Sequence, residues 1–147
     1  MPASTVVSLR VSAQQTQRLR RRARQLGRTP SETGAMLLEE GLRRADFAFI
    51  DFRDSAVGRQ AYVLGTRLAV WQVVSVARAV QGDVTGTATH LGWPTVKAQA
   101  ALSYAKAFPE EIEVALEDAA AIESATLART LPQLEEFIAP SGSATSS

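Results

Sequence analysis

The sequence predicts a mainly α-helical protein with a short strand before its first helix and one or two short strands in its middle third. Two helix-start motifs, SAQQ and TPSE, follow one another near the amino terminus, and each opens a stretch of helical spacing. Helical spacing returns from about Val70, after Pro94 and after Pro109. Residues 5–12 instead alternate between two faces, which is the pattern of a strand.

Charge is divided along the chain, although the net charge of the 147 residues is only +1. Residues 1–46 carry nine arginines and four acidic residues, whereas residues 109–139 carry one arginine and eight acidic residues. This division predicts a nucleic-acid partner for the basic part and a protein partner for the acidic part. The sequence has no cysteine, signal-peptide pattern or long apolar run, so we expect a cytoplasmic protein with no membrane span.

The strand pattern of residues 5–12 has no nearby hairpin partner. Its apolar face comprises Val7, Leu9 and Val11. Its opposite face comprises Val6, Ser8 and Arg10. An isolated strand cannot satisfy its backbone hydrogen-bonding groups, and a strand with two helices is too little chain for a monomeric core. We therefore predict a homodimer in which two such strands pair antiparallel, with the apolar face inward and the other face forming a ribbon that fits the major groove.

Two helices follow the strand. Ser12 and Gln15 form a capping box that starts the first helix, and Gly27 is placed to end it. Thr29 caps the second helix, which we expect to run to about Ala45. The expected inward positions of the two helices are Leu19, Ala23, Leu26, Met36, Leu38 and Leu42. The predicted dimer core consists of Val7, Leu9, Val11, Leu38 and Leu42.

Residues 4–46 resemble the ribbon-helix-helix repressors in the segments VSLRVS, QLGR and TPSE. The resemblance implies a dimer whose ribbon reads bases while the amino terminus of the second helix holds phosphate. The implied base-reading residues are Val6, Ser8 and Arg10, of which Arg10 best suits guanine. Val6 stands where a polar residue is common, so it would reach at most a thymine methyl. The implied phosphate-binding residues are Arg28, Thr29 and Ser31. The alternative is a solvated basic face without DNA binding.

Residues 47–122 form the second predicted domain. FAFIDFR suits one short strand, and a second short strand precedes a helix that begins at about Val70. The predicted buried face of this helix consists of Val70, Val73, Val74, Ala77 and Val80, and Gly82 is expected to end it. A short helix, a turn at Gly92 and a longer helix begun by Pro94 then predict a helix-turn-helix.

Residues 58–116 are similar to the domain-of-unknown-function 433 family in the segments GTRLAVWQVV, HLGWP and AALSYAKAFPEEIE. The resemblance implies a small winged-helix-like module and an antitoxin of a type II toxin–antitoxin system, beside a PIN-type ribonuclease toxin. The helix after Pro94 offers only Lys97 and Lys106 for phosphate contacts, which favours protein binding or a structural use over DNA binding. Trp71 and Trp93 are expected to lie in the core or at a domain contact.

Residues 123–147 form the third predicted segment, which follows the helix begun by Pro109. Its apolar residues are the predicted toxin contacts: Leu127, Leu131, Leu134, Phe137 and Ile138. The alternative is a last helix that packs on its own domain. The composition of the final residues, PSGSATSS, predicts that they are disordered.

The residue inventory predicts neither an enzyme nor a metal or cofactor site. His90 is the only histidine, and the acidic pairs Glu110/Glu111 and Glu135/Glu136 are adjacent, so their members point in different directions on a helix. The expected function is a homodimeric autorepressor antitoxin that binds double-stranded operator DNA and neutralises a toxin nuclease. Two alternatives remain open: a ribbon-helix-helix repressor without a toxin, and a protein-interaction module without DNA binding.

Overall fold

The computed structural model describes residues 4–130 and shows a mainly helical chain with a small antiparallel sheet, which confirms the prediction of a mainly α-helical protein. Its elements are α1 (Ala13–Leu26), α2 (Pro30–Asp46), β1 (Ile50–Ser55), β2 (Gly58–Val63), α3 (Val70–Ala79), α4 (Val84–Leu91), α5 (Thr95–Ala107) and α6 (Pro109–Thr130). The chain divides into two compact units, unit 1 (residues 1–46) and unit 2 (residues 47–147). Within residues 4–130, every helix is too short or too polar to cross a membrane.

In unit 1, α1 begins and ends where the sequence predicts. The Ser12 hydroxyl accepts a hydrogen bond from the Gln15 backbone N–H at 3.1 Å, and the Gln15 side chain accepts one from the Ser12 N–H at 2.9 Å. Gly27 adopts the left-handed conformation with φ of 65° at the carboxyl end. The next residue, Arg28, donates its backbone N–H to the Ala23 carbonyl at 2.9 Å, which closes the helix. Both caps are therefore confirmed.

The amino-terminal segment has no regular secondary structure in the single chain, so the predicted strand is not formed there. The described residues of unit 1 include no other strand for this segment to pair with, and an unpaired strand is not stable. The side chains predicted for a dimer core are exposed: Val7 (71%), Leu9 (70%), Val11 (49%), Leu38 (51%) and Leu42 (53%). The prediction that Leu38 and Leu42 are buried is wrong for the single chain, because no described part of unit 1 covers them.

The residues that α2 does bury are polar. Thr33 is fully buried, and its hydroxyl donates a hydrogen bond to the Thr29 carbonyl at 2.9 Å. The buried hydroxyl therefore has a hydrogen-bond partner within unit 1. Glu40 is also buried, and its carboxylate lies 3.7 Å from the Arg44 guanidinium one turn later. Among the described residues of unit 1, Ala23 is the only apolar residue that is fully buried. Unit 1 therefore has almost no apolar core of its own.

Unit 2 contains the hydrophobic core. β1 and β2 form an antiparallel hairpin in which Ile50 lies opposite Val63 and Ser55 opposite Gly58. The inward residues of this hairpin pack with α3, α5 and the start of α6; the core comprises Ile50, Phe52, Ala61, Val63, Val70, Val73, Val74, Ala101, Tyr104 and Ile112. Trp71 and Trp93 pack against this core and are partly exposed. The two predicted short strands and the core use of both tryptophans are confirmed.

The end of α3 differs from the prediction. α3 begins at Val70 as expected and buries four of its five predicted positions, whereas Val80 is partly exposed. Gln81, and not Gly82, takes the left-handed conformation, with φ of 50°. The Gly82 N–H then donates to the Ala77 carbonyl at 2.9 Å, which completes the helix end. The glycine is thus one position beyond the residue that needs a positive φ.

The remaining helices follow the predicted order. Asp83 caps α4 by accepting from the Gly86 N–H at 2.8 Å, and Gly92 ends α4 in the left-handed conformation before Pro94 and α5. α6 begins at Pro109 and continues to Thr130, through the predicted domain boundary at residue 122. On α6, Glu113 accepts a hydrogen bond from the α3 guanidinium of Arg78, which lowers the pKa of the Glu113 carboxyl.

Candidate nucleic-acid and protein interfaces

The arginine surface of unit 1 consists of the five arginines of α1: Arg18, Arg20, Arg21, Arg22 and Arg24. α1 has no acidic residue, and four of these side chains are exposed. Arg22 is partly buried and donates to the Gln25 side chain at 3.4 Å. A helix with this charge attracts polyanions at a distance without reading their sequence.

A groove of about 530 Å³ lies beside the arginine surface. Its apolar lining comes from Val11, Leu19 and Leu37, and arginines of α1 line it as well. The apolar part is continuous in sequence with the exposed strand pattern, because Val11 belongs to both. Unit 1 therefore presents unpaired apolar surface together with positive charge.

The predicted base-reading residues Val6, Ser8 and Arg10 are all exposed. They lie in the segment without regular structure, and their placement on one face is a property of a paired strand. The single chain leaves all three accessible to a partner.

The predicted phosphate-binding residues meet at the start of α2. The Thr29 hydroxyl oxygen accepts from the Glu32 N–H at 3.1 Å, which leaves the hydroxyl proton available as a donor. Arg28 and Ser31 are exposed on either side of this cap. The structure therefore brings Arg28, Thr29 and Ser31 together at a helix amino terminus, where backbone N–H groups favour an anion. Glu32 lies in the same turn, and its negative charge disfavours a bound anion.

Unit 2 contains a cleft that sequence reasoning missed. The Trp71 cleft has a volume of about 340 Å³ and lies between β2, α3 and α6. Trp71 lines it from α3 and donates its indole N–H to the Gln60 side chain of β2 at 3.2 Å. Three carboxylates line it from α6, those of Glu110, Glu111 and Asp118. The only local signals were a tryptophan and an acidic first helical turn, and neither indicates that these elements meet.

The outward face of α5 offers little positive charge. Lys106 is exposed, whereas Lys97 is partly buried and its ammonium group lies beside Gly65. Gln99 donates to the Ser103 hydroxyl at 3.0 Å on the same face. This face is a weak candidate for phosphate contacts, since affinity for DNA depends on the number of phosphates neutralised.

The last turns of α6 form the described part of the predicted toxin contact. Every residue from 121 to 129 is exposed, including the apolar side chains of Ile122 and Leu127. The other predicted contacts, Leu131, Leu134, Phe137 and Ile138, lie outside the described residues.

His90 is exposed at the end of α4, and the described part of the chain holds no group of three His, Cys, Asp or Glu residues arranged for a metal ion. Neither a protein-family model, nor a curated protein, nor a solved structure matches this chain. The resemblances drawn above therefore rest on the quoted motifs alone.

Proposed function

We propose that this chain is the antitoxin of a type II toxin–antitoxin pair. Unit 1 forms a homodimer that binds operator DNA, and unit 2 with the carboxy-terminal segment neutralises a PIN-type ribonuclease toxin. The observation that carries this proposal is the incomplete state of unit 1, which buries a single apolar side chain among its described residues and leaves a strand-patterned apolar segment exposed beside an arginine-rich helix.

Dimer formation supplies what unit 1 lacks. Antiparallel pairing of residues 5–12 in two chains would give each backbone its hydrogen-bonding partner. Val7, Leu9 and Val11 from both chains would then cover Leu38 and Leu42, which are half exposed in the single chain. Burying one such side chain stabilises the folded state by about 1.5–3 kcal/mol. In a dimer, each position contributes this free energy twice, once from each chain. A unit as short as unit 1, residues 1–46, needs such a gain in order to fold.

DNA binding follows from the same pairing. The outward face of the paired strands would carry Val6, Ser8 and Arg10, and a two-stranded ribbon fits the major groove. The cap at Thr29, with Arg28 and Ser31, would hold a phosphate and fix the register of the ribbon. The arginine surface adds attraction that does not depend on sequence.

The toxin-binding half rests on unit 2 and its acidic helix. α6 carries six acidic residues within Pro109–Thr130 and one arginine, and its last turns expose Ile122 and Leu127. A ribonuclease binds RNA through a basic surface, which an acidic and apolar helix complements. The three motifs that resemble the antitoxin family lie in the same unit.

Binding to a duplex from the chain's own upstream region, compared with a random duplex across a salt series, tests the DNA-binding half. We expect specific binding that weakens steeply with salt. Arg10→Ala should lose about 1–3 kcal/mol of discrimination, because a bidentate arginine–guanine contact contributes that much. Arg67→Ala, which removes the same charge from an exposed position in unit 2, is the matched control and should leave discrimination unchanged. Equal affinity of the unmodified protein for both duplexes would contradict the proposal.

A further inference from the structure

The Trp71 cleft is built from three separate elements of unit 2. Its volume of about 340 Å³ is at the small end of the range for ligand sites, so it suits one or two side chains. The Trp71 indole is fixed by its hydrogen bond to Gln60. The Glu111 carboxylate is fixed by the Tyr104 hydroxyl, which donates to it at 2.7 Å. Two lining groups are thus held in place before anything binds.

The lining is apolar at Ala61, Trp71 and Ile112 and negative where α6 contributes carboxylates. Glu110, Glu111 and Asp118 face a single lining cation, Arg59, whose guanidinium lies 3.1 Å from the Asp54 carboxylate. With three lining carboxylates and one lining guanidinium, the net charge of the cleft is negative. Such a lining repels phosphate and attracts a cation.

We infer that the Trp71 cleft receives an arginine side chain from a basic segment of a protein partner. A guanidinium stacks on an indole and forms paired hydrogen bonds with carboxylates, so it uses both kinds of lining group. A lysine ammonium would use the carboxylates but gain less from the ring. The inference deepens the protein-binding half of the proposed function and rests on it: the partner would be the basic surface of the toxin nuclease.

A short peptide probe tests the cleft without the toxin. The probe is an acetylated and amidated pentapeptide with arginine at its second and fourth positions and leucine elsewhere. Its control replaces both arginines by citrulline, which keeps the shape and removes the charge. The chain has two tryptophans, so nitrogen-15 spectra give two indole N–H peaks. We expect the arginine peptide to shift the Trp71 peak at low salt, while the Trp93 peak stays in place and the citrulline peptide shifts neither.

Two substitutions on α6 locate the contact. Asp118→Asn should weaken arginine-peptide binding by up to about fivefold, the size of an exposed charge pair. Glu117→Gln is the matched control, because Glu117 is exposed on the same helix but does not line the cleft. Its binding should equal that of the unmodified chain. Equal weakening by the two substitutions would mean that only the general charge of α6 acts, and it would overturn the inference.

Toxin co-purification separates this inference from the proposed function. Loss of toxin binding in Trp71→Ala, with retention in Glu117→Gln, supports the cleft as the contact. If the toxin co-purifies equally with both variants, the antitoxin function is retained, but the inference that the Trp71 cleft binds the toxin is wrong. Peptide binding at Trp71 without co-purification of any toxin supports the cleft chemistry and overturns the antitoxin function.

Discussion

Tyr104 joins the core of unit 2 to the wall of the Trp71 cleft. Its ring is fully buried, and its centroid lies 5.4 Å from that of Phe47 and 4.8 Å from that of Phe108. Its hydroxyl leaves the core and donates to Glu111 at the cleft. A tyrosine suits such a position because one end is apolar and the other is a hydrogen-bond donor.

Removing the hydroxyl and removing the ring should have different costs. Tyr104→Phe is expected to lower the free energy of unfolding by about 1 kcal/mol, because it loses one hydrogen bond whose acceptor is exposed and can rehydrate. Tyr104→Ala should lower it by about 3–5 kcal/mol, because it leaves a cavity in the core. Urea denaturation followed by tryptophan fluorescence measures both. Equal losses would show that the hydrogen bond, and not ring packing, dominates at this position.

Single positions were predictable where one local rule decides them. The starts of α1 and α3 follow from a capping box and from helical spacing, which are properties of a few neighbouring residues. The burial of Thr33 and Glu40 was not predictable, because polar residues become buried only when distant groups or their own helix satisfy them. The left-handed Gln81 was missed because a glycine stands next to it and is the usual choice for that conformation.

Two glycines of unit 1 have opposite roles in its helices. Gly27 ends α1 with φ of 65°, a conformation that favours glycine. Gly34 lies inside α2, where a methyl group would meet only Leu19, with the carbons 3.9 Å apart, which is an ordinary van der Waals contact. The first glycine is therefore needed by the backbone, whereas the second only weakens its helix.

Alanine at these two positions should change stability in opposite directions. Gly27→Ala is expected to destabilise the protein by about 1–2 kcal/mol through left-handed strain. Gly34→Ala should stabilise it by about 0.4–1 kcal/mol, because alanine restricts the unfolded chain and favours the helix. Chemical denaturation followed by far-ultraviolet circular dichroism measures both. Destabilisation by Gly34→Ala would indicate that a partner chain packs against α2 at that point.

Contacts between elements were the least predictable part of the molecule. Most predicted helices and the hairpin of unit 2 match the observed elements, whereas the predicted amino-terminal strand is not formed in the single chain. The Trp71 cleft depends on contacts between β2, α3 and α6, and about 40 residues separate Trp71 from the α6 carboxylates. Helical spacing reports which face of each helix is apolar but not which other element covers it. The candidate DNA contacts each lie within one short motif, so they could be named from the sequence, and they stay predictions.

The two units differ in composition as well as in packing. Every aromatic residue of the chain lies after residue 46, and all the residues of the described hydrophobic core belong to unit 2. Tryptophan fluorescence therefore reports unit 2, whereas far-ultraviolet circular dichroism reports the helices of both units. Unit 2 has the core of an ordinary small domain, whereas the described residues of unit 1 bury almost no apolar side chain, which is the basis for the proposed dimer.

Unit 1 should accordingly melt at a temperature that depends on protein concentration. A tenfold increase in concentration adds about 1.4 kcal/mol to a dimer's stability, which raises the midpoint by about 6–11 °C for a dimer of two such units. We expect this shift in the circular dichroism transition and no shift in the tryptophan fluorescence transition. Two midpoints that are both independent of concentration would contradict a dimer held together by unit 1.

Two adjacent valines then distinguish strand pairing from any other association. Val6 and Val7 are both exposed in the single chain, at 92% and 71%, so a monomer tolerates a charge at either position. In a paired strand they lie on opposite faces, and only Val7 faces the helices. Val7→Glu should therefore abolish the concentration dependence, and Val6→Glu should preserve it while weakening DNA binding through repulsion of phosphate. Equal effects of the two substitutions on dimer formation would exclude antiparallel pairing of the amino-terminal strands.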